Sequence, residues 1–286
     1  MILHKIFSMI ARLKLYIKDS VLYVVARPIY KFLERIYDYL RLIVFRLFPV
    51  IGRRSYNAMQ KQQYKKYTGS FNDSMQLCVG EFDAHESYPY EDYLLEEYSG
   101  PRGIALDFAC GMGRMMSRFK PLFDVVDGVD LSAENIEYAE KYLLGKGYSN
   151  ETFNLYESSG LGVNIGKLEH YDFIYSTIAL QHISVYDIRL GIFKDLFEML
   201  KPSGACCFQM GFGWDNGTHW FDNRFTARST NAGADVCVPD ENHLDAIKKD
   251  FENIGYQNIK FEMKLSPHPE KGNTYHPIWL FIHMSK

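Results

Sequence analysis

The order of apolar and polar positions divides the chain into three stretches. Apolar residues repeat at helical spacing in residues 1–54, and residues 55–100 are polar and rich in tyrosine. From Gly103 onward, short apolar runs alternate with amphipathic ones. This alternation predicts parallel strands joined by helices that cover both faces of one sheet. We therefore expect a helical extension at 1–54, a connecting or lid segment at 55–100, and an α/β domain with a mostly parallel sheet at 101–286.

The pattern predicts seven strands and four main helices in this domain. The strands are expected at 104–108, 125–130, 153–156, 171–177, 205–210, 259–263 and 278–283. The helices are expected from Met115 onward and at 133–144, 185–200 and 241–254. Ser132 and Ser184 stand where they can begin the second and third helices, Lys201–Gly204 is expected to end the third, and Gly255 to stop the last.

The first 54 residues predict amphipathic helices. Apolar residues recur at intervals of three and four, with charged residues on the opposite face. A first stripe occupies residues 2–17, and Pro28 is expected to separate it from a second. Charges interrupt the apolar residues too often for a transmembrane helix, which needs about 20 apolar residues. The second stripe consists of Ile29, Phe32, Leu33, Ile36, Leu40, Ile43 and Leu47.

The net charge of −3 is unevenly distributed along the chain. Residues 1–54 carry eleven Lys or Arg and three acidic residues, a net charge of +8, and the remainder carries −11. A basic amphipathic helix with bulky apolar residues can bind an anionic membrane surface. It can equally pack on its own domain or on a second copy in a homodimer. Nucleic acid is not expected as a partner, because the charges alternate with large aliphatic residues.

The five cysteines include no C-x-x-C pair, and their number is odd. The sequence therefore predicts neither a disulfide framework nor a zinc site. The nine histidines are scattered without ligand spacing, so no metal site is expected. A reducing compartment suits this cysteine usage, and we expect a cytoplasmic protein, peripheral on the inner face of a membrane if the extension binds lipid.

The first predicted strand is followed by a turn with two glycines, Gly111 and Gly113, and then by a helix. Such a turn lets a ligand approach the backbone at the carboxyl edge of the sheet. Asp130 ends the next strand, where its carboxylate can accept both hydroxyl groups of a ribose. Together they predict an adenosine-type cofactor. A dinucleotide-binding fingerprint would have a third glycine at position 116, which is Met.

The stretch Leu106–Arg114, Leu-Asp-Phe-Ala-Cys-Gly-Met-Gly-Arg, closely resembles the S-adenosylmethionine (SAM)-binding motif of class I methyltransferases. Three later segments, 129–132, 171–183 and 200–204, resemble in order the family's ribose-binding segment, its fourth-strand region and the turn before its fifth strand. The resemblance covers about residues 100–210. It implies a Rossmann-like fold, SAM as cofactor and methyl transfer as the reaction.

The resemblance also implies the cofactor-binding residues. Asp107 would organise the loop and the methionine end of SAM, and Asp130 would bind the ribose. Ala109 departs from the family, since many members have glycine there, and 157–160 lacks the usual Gly-Asp pair, which leaves the adenine contacts open. The expected set is Asp107, Ala109, Cys110, Gly111, Gly113, Arg114, Asp130, Leu131, Ser159 and Gly160.

A hydroxyl acceptor needs a base as well as alignment with the methyl group. The candidate bases are His182, directly after the fourth strand, and His219 and Asp222 in an insertion at 211–235, with His85 as a further candidate. The insertion is rich in Gly, Asn, Asp and aromatic residues, which suits a sugar and equally a folded lid.

Combined with the basic extension, this composition favours O-methylation of a sugar in a lipid-linked glycan, or of a lipid headgroup. Two alternatives stay open. One is a soluble methyltransferase for a small molecule with a dimerising helical head, and the other is a catalytically silent SAM-binding scaffold.

Overall fold

The computed structural model describes residues 47–70, 87–213, 219–223, 236–267 and 276–286, together with single positions between 28 and 43. The chain divides into two compact units, Met1–Gly52 and Arg53–Lys286. The apolar stripe predicted for residues 2–17 and the candidate base His85 lie outside the described residues.

In the first unit, every described position from Pro28 to Leu47 is helical. The predicted second stripe is exposed along its whole length, with Phe32 62% and Leu47 67% exposed. None of the described helices is long and apolar enough to cross a bilayer. The exposed large apolar side chains of this unit are Ile29, Phe32, Leu33, Ile36, Tyr39, Leu40, Ile43, Leu47, Phe48 and Ile51.

Helices and strands alternate through the second unit, as the pattern predicts. The helices are α1 (Pro49–Ser70, which begins in the first unit), α2 (Tyr90–Leu95), α3 (Arg114–Phe119), α4 (Ala133–Gly145), α5 (Tyr186–Met199) and α6 (Leu244–Ile254). The strands are β1 (Ile104–Phe108), β2 (Val125–Asp130), β3 (Leu155–Glu157), β4 (Tyr171–Ser176), β5 (Leu200–Phe212), β6 (Cys237–Val238), β7 (Gln257–Leu265) and β8 (Ile278–Ser285).

The strands form one sheet in the order β3-β2-β1-β4-β5-β8-β7, with the short β6 paired to the end of β5. Strands β1 to β5 are parallel, whereas β8 runs antiparallel to both β5 and β7. The predicted α/β class with a mostly parallel sheet is confirmed. Because β1 to β5 point the same way, the loops after them meet at one edge of the sheet, which we call the carboxyl edge.

Local signals placed several helix ends correctly. The Ser132 hydroxyl accepts a hydrogen bond from the Asn135 amide at 3.3 Å and caps α4. Gly255 ends α6 with a φ of 121°. The expectation that Ser184 begins α5 is wrong, because α5 starts at Tyr186 after Val185, without a cap from its own flank.

The first amides of α5 are instead satisfied by the insertion. The Tyr186 amide donates to the Asp222 carbonyl at 2.9 Å, and the Asp187 amide donates to Asn223 Oδ1 at 3.4 Å. Two residues distant in sequence therefore do what a serine was expected to do.

Two other boundaries differ from the prediction. Strand β5 begins at Leu200 rather than at Ala205, because Lys201–Gly204 forms a bulge, marked by a register shift and a φ of 65° at Ser203. The last helix begins with a 3₁₀ turn at Glu241–His243, and α6 proper starts at Leu244.

Each face of the sheet buries its own apolar core. Leu106, Ile174 and Phe208 face α5 and α6. On the opposite face, Phe119, Phe173 and Tyr175 form part of an aromatic cluster with α2 and α3, with Phe119 and Tyr175 rings 3.9 Å apart. This packing fixes the ends of β1, β4 and β5, where the site lies.

Candidate active site

The loop from β1 to α3 has three residues in the left-handed region: Ala109 (φ 60°), Gly111 (φ 54°) and Gly113 (φ 86°). A Cβ at Gly113 would come within 3.3 Å of the Ala139 Cβ, so glycine there permits both the turn and the close packing on α4. A Cβ at Gly111 would meet nothing within 4 Å. The loop therefore turns tightly against the protein at Gly113 and leaves open space beside Gly111.

Asp130 ties this loop to the end of β2. Its Oδ2 accepts from the Gly111 amide at 3.0 Å, and its Oδ1 accepts from the Ser132 amide at 2.9 Å and from Asn135 Nδ2 at 3.0 Å. Burial raises the pKa of Asp130, and these donors oppose that rise. Asn135 was not among the predicted site residues, although an Asn three residues after a capping Ser is well placed to reach back.

Asp107 lies on the neighbouring strand β1 and is 2% exposed. Its Oδ2 makes no hydrogen bond of acceptable geometry within the described part of the chain. Burial raises its pKa well above the ordinary value; the Arg114 guanidinium and the Tyr175 hydroxyl oppose this rise, and the Asp130 carboxylate adds to it. A buried carboxyl group without a partner is costly, which marks it as a group that a ligand would satisfy.

Three further buried groups continue this polar line across β4, β5 and β8. Gln209 Nε2 and Trp279 Nε1 lack hydrogen-bond partners among the described residues. The Tyr175 hydroxyl lies beside the Asp107 carboxyl group but makes no hydrogen bond of regular geometry with it. Gln209 Oε1 accepts from the Ile178 amide at 3.0 Å, so the carboxamide is anchored at its oxygen and its amino group stays available. Ile178 itself has a φ of 53°, an unusual backbone for a β-branched residue.

His276 lies beside this line and was not among the predicted site residues. It is 2% exposed, its ring lies 5.5 Å from the Trp279 ring, and a Cβ on Gly211 would come within 2.2 Å of its Nδ1. Glycine at 211 is therefore needed to admit the histidine ring. The sequence signal was only a histidine two residues before a strand, too weak to single it out.

The predicted Ser159–Gly160 segment follows β3 and contacts helix α1. Asn57 Nδ2 donates to the Ser159 carbonyl at 2.6 Å. A Cβ on Gly160, whose φ is 80°, would come within 2.2 Å of Asn57 Oδ1 and 2.4 Å of Leu131 Cδ1. The structure thus brings Leu131 and Gly160 together and adds Asn57.

The other two predicted loop residues, Cys110 and Arg114, face inward. Cys110 is buried, and its amide donates to the Val129 carbonyl at 3.1 Å, which joins the loop to β2. The Arg114 guanidinium lies 5.3 Å from the centre of the Tyr90 ring in α2. Arg114 therefore links the glycine loop to the tyrosine-rich segment before β1.

The segments around the predicted general bases His182 and His219 both contact residues 236–237. His182 ends the 3₁₀ turn Leu180–His182, and the adjoining Gln181 carbonyl accepts from the Val236 amide at 2.8 Å. His219 forms an isolated bridge with Cys237. Asp222 Oδ2 accepts from the His219 amide at 3.1 Å, so this carboxylate holds its own turn.

A buried cation joins these segments. Arg189, in α5, is fully buried, donates to the Ile183 and Trp220 carbonyls, and lies 4.9 Å from the centre of the Trp220 ring. Burial lowers its pKa to about 10. Trp220 in turn stacks on Phe193 with ring centres 5.9 Å apart. The insertion is therefore fastened to the core at its first turn.

These features suit an adenosyl cofactor with a cationic end. Asp107 offers an unpaired carboxyl oxygen, Gly111 leaves open space, and Asp130 stands at the end of the adjoining strand. Within the described residues, no group of three or more His, Cys, Asp or Glu is placed to hold a metal ion. Fold and site together define an α/β enzyme that binds its cofactor at the carboxyl edge of a parallel sheet.

Comparison with known proteins agrees with this class. Residues 105–204 match the sequence profile of a family described as a methyltransferase domain. A SAM-dependent methyltransferase from Clostridium acetobutylicum is similar in structure, with a TM-score of 0.51, 17% identity, and 78% of this chain and 98% of that chain covered. No curated protein sequence matches the chain.

Two other similar structures show how far the fold extends. Phosphoethanolamine N-methyltransferase 2 from Haemonchus contortus, with phosphomonomethylethanolamine and S-adenosylhomocysteine, has a TM-score of 0.51 at 15% identity and covers 70% of this chain and 52% of that one. The [4+2]-cyclase SpnF has a TM-score of 0.52 at 13% identity and covers 69% and 80%. At such identities the likeness shows the fold alone.

Residues 105–204 match a methyltransferase domain, and the fold around them is the one seen in SAM-dependent methyltransferases. The protein is an enzyme, and its cofactor is SAM. The motif resemblance in Leu106–Arg114 therefore gave the correct family.

Proposed function

We propose that this methyltransferase acts at a membrane surface, on a hydroxyl group of a sugar in a lipid-linked glycan or on a lipid headgroup. The observation that carries the proposal is the exposed apolar face of the first unit, ten large side chains between Ile29 and Ile51. Lys31 is exposed among them, and residues 1–54 carry a net charge of +8. Burial of one Phe or Leu side chain contributes about 1.5–3 kcal/mol, so a few of the ten suffice for attachment.

The proposed cofactor position follows the order of the strands. Asp107 on β1 holds the cationic methionine end, with the Gly111–Gly113 backbone beside it, because an unpaired buried carboxyl group is stabilised by a cation. Asp130 on β2 accepts from the ribose hydroxyl groups. The adenine base then lies towards β3, over Leu131 and beside Ser159 and Gly160.

The acceptor is proposed to lie on the other side of Asp107, over β4 and β5. The available groups there are the Tyr175 hydroxyl and the N–H groups of Gln209 and Trp279. These groups carry no formal charge, and the N–H groups only donate, which suits the hydroxyl and ether oxygens of a sugar. Aromatic rings beside them suit the apolar faces of a sugar ring.

We place the base for the acceptor proton at His182. Asp222 is engaged by the turn at His219, and the His219 ring lies 6.3 Å from the His243 ring, beside the start of α6. His182 follows β4 after five residues, and Tyr175 lies near the end of that strand. The methyl donor supplies the electrophile, and His182 would take the proton as the acceptor oxygen attacks.

Vesicle co-sedimentation of the full chain tests the membrane proposal. We expect it to pellet with vesicles of phosphatidylcholine and phosphatidylglycerol, and less with phosphatidylcholine alone, because of the basic residues. The double variant Phe32→Asn with Ile36→Asn is expected to lower vesicle affinity at least about 10-fold. Leu168→Asn is the matched control, since Leu168 is 71% exposed in the second unit.

Equal pelleting of the double variant and the wild type, or no pelleting of either, would show that the proposal is wrong. Light scattering on the same samples measures the mass in solution. A dimer that dissociates in the double variant would show that the apolar face joins two copies of the chain instead.

A further inference from the structure

One carboxamide oxygen beside the proposed adenine position is buried and has no hydrogen-bond partner among the described residues: Oδ1 of Asn57 in α1. The other end of this side chain is occupied, because Nδ2 donates to the Ser159 carbonyl at 2.6 Å. This contact fixes which way the amide points, since a flipped amide would set two oxygens against each other. Asn57 therefore presents an acceptor.

This oxygen lies against the two loops, after β2 and after β3, that are proposed to hold the adenine base. The position that a Gly160 Cβ would take is 2.2 Å from Asn57 Oδ1 and 2.4 Å from Leu131 Cδ1, so these two atoms are close neighbours. Helix α1 thus contributes to a wall otherwise made by the loops after β2 and β3. It does so from outside residues 105–204, which the family profile matches.

The loop after β3 leaves the acceptor role open. Glu157, the last residue of β3, supplies the nearest carboxylate, which is paired with Lys61 of α1 at 2.9 Å. Adenine carries an exocyclic amino group, and a base recognised by hydrogen bonds needs an acceptor for it. On this side of the proposed adenine position, Asn57 Oδ1 of α1 is an acceptor without a partner among the described residues.

Helix α1 is held firmly enough to position a side chain. Gln60 Nε2 donates to the Tyr56 hydroxyl at 2.8 Å and lies 3.2 Å from the His182 carbonyl. Tyr56 is 3% exposed and packs in the core with α5. The anchored residues Tyr56 and Gln60 lie on either side of Asn57 along the helix, and Lys61 follows one turn after Asn57.

We infer that Asn57 Oδ1 accepts a hydrogen bond from the adenine amino group and makes the enzyme selective for adenosyl cofactors. The inference rests on the proposed cofactor position. A hypoxanthine base, which carries a carbonyl at the same position, would set its oxygen against Asn57 Oδ1 and would be rejected.

Calorimetry on the full chain tests this inference with two probes, S-adenosylhomocysteine and S-inosylhomocysteine, which differ at that position. We expect the wild type to prefer the adenosyl compound about 10-fold or more. Asn57→Ala is expected to lower affinity for the adenosyl compound, which loses a hydrogen bond, and to raise affinity for the inosyl compound, which loses a repulsion, so the preference disappears.

Lys61→Ala is the matched control, because Lys61 contacts the same loop from the same helix. It is expected to change both affinities equally and to keep the preference. If Asn57→Ala also changes both affinities equally, Asn57 only supports the loop and the inference is overturned. Thermal melting identifies a variant that has not folded, and Asn57→Leu, of similar volume, then takes its place.

The two proposals fail in different ways. If the wild type binds neither compound, the proposed cofactor position is wrong. If it binds both with equal affinity, the position stands and the role of Asn57 is refuted.

Discussion

The two halves of the carboxyl edge are built differently. The cofactor half comes mainly from one continuous stretch, residues 107–135, in which Asp130 joins the glycine loop to the cap of α4. The proposed acceptor half gathers side chains from segments far apart in the sequence. These segments are 175–182, 209–213, 219–223, 236–238 and 276–279.

The halves also differ in how their polar groups are satisfied. Asp130 has three donors, whereas Tyr175, Gln209 and Trp279 each keep a buried polar atom without a partner among the described residues. Asp107 stands at the border and shares that property. In the proposed arrangement, the half whose hydrogen bonds are complete holds the cofactor, and the half with unsatisfied polar groups recognises the acceptor.

The largest expected effect on ligand binding is at Asp107. Asp107→Asn removes the buried carboxylate and should lower affinity for SAM about 30-fold or more, since a hydrogen bond to a charged group contributes about 1.5–3 kcal/mol. Because burial raises the pKa of Asp107, the fold should keep or gain stability. Calorimetry and thermal melting measure the two quantities.

Asp127→Asn is the matched control for this change. Asp127 is fully buried on β2 and accepts from the Asn154 amide at 3.0 Å, from Asn154 Nδ2 at 2.8 Å and from the Tyr171 hydroxyl at 3.1 Å. The variant should lose about 1–3 kcal/mol of stability and keep its affinity for SAM. Equal behaviour of the two variants would contradict the contrast between an open and a satisfied carboxyl group.

A smaller effect on ligand binding is expected in the acceptor half. With an acceptor identified from a panel of sugar-lipids and headgroups, Gln209→Leu should raise KM for the acceptor about 10-fold, because one hydrogen bond is lost. His182→Gln should lower kcat, by about 100-fold if it acts as base. Affinity for S-adenosylhomocysteine should stay unchanged in both variants. A loss of that affinity would show that the two halves of the site do not act independently.

The smallest effect is a dependence of cofactor affinity on pH. Asp107 has its pKa raised by burial, so below that pKa its carboxyl group is protonated in the free enzyme. A cationic ligand favours the carboxylate, so binding releases a proton and affinity falls as pH is lowered through that range. Calorimetry in two buffers of different ionisation enthalpy detects the proton, and Asp107→Asn should abolish most of its release.

The same shift has a consequence for folding, with the sign fixed by linkage. The folded protein binds a proton at Asp107 more tightly than the unfolded chain, in which the pKa of this carboxyl group is near 3.8. Relative to Asp107→Asn, the wild type should therefore lose stability as pH rises from the unfolded to the folded pKa, and change no further above it. Urea unfolding of both proteins across pH measures this difference.

Local chemistry explains what the sequence predicted well. Ser132 and Gly255 were placed correctly because a helix end is decided by residues within a few positions. The glycine loop was recognised because its residues and Asp130 are close in sequence and carry distinctive types. The class of fold followed from the alternation of short strands and helices.

Longer contacts explain what the sequence did not predict. Asn57 meets Ser159 across 102 positions, and Asn223 reaches the start of α5 across 36. A local reading therefore assigned Ser184 to a cap that Asp222 and Asn223 supply. The orphaned groups of Gln209 and Trp279 were missed for the same reason, since only the folded sheet shows which polar atoms are left over.

The fastening of the insertion bears on how such an enzyme could be redesigned. Its entry at 219–223 caps α5 and is held by Arg189, and its exit at 236–238 pairs with β5. A loop grafted in place of the insertion would therefore have to keep these two attachments. A variant library of the insertion that keeps residues 219–223 and 236–238 unchanged would leave both attachments in place.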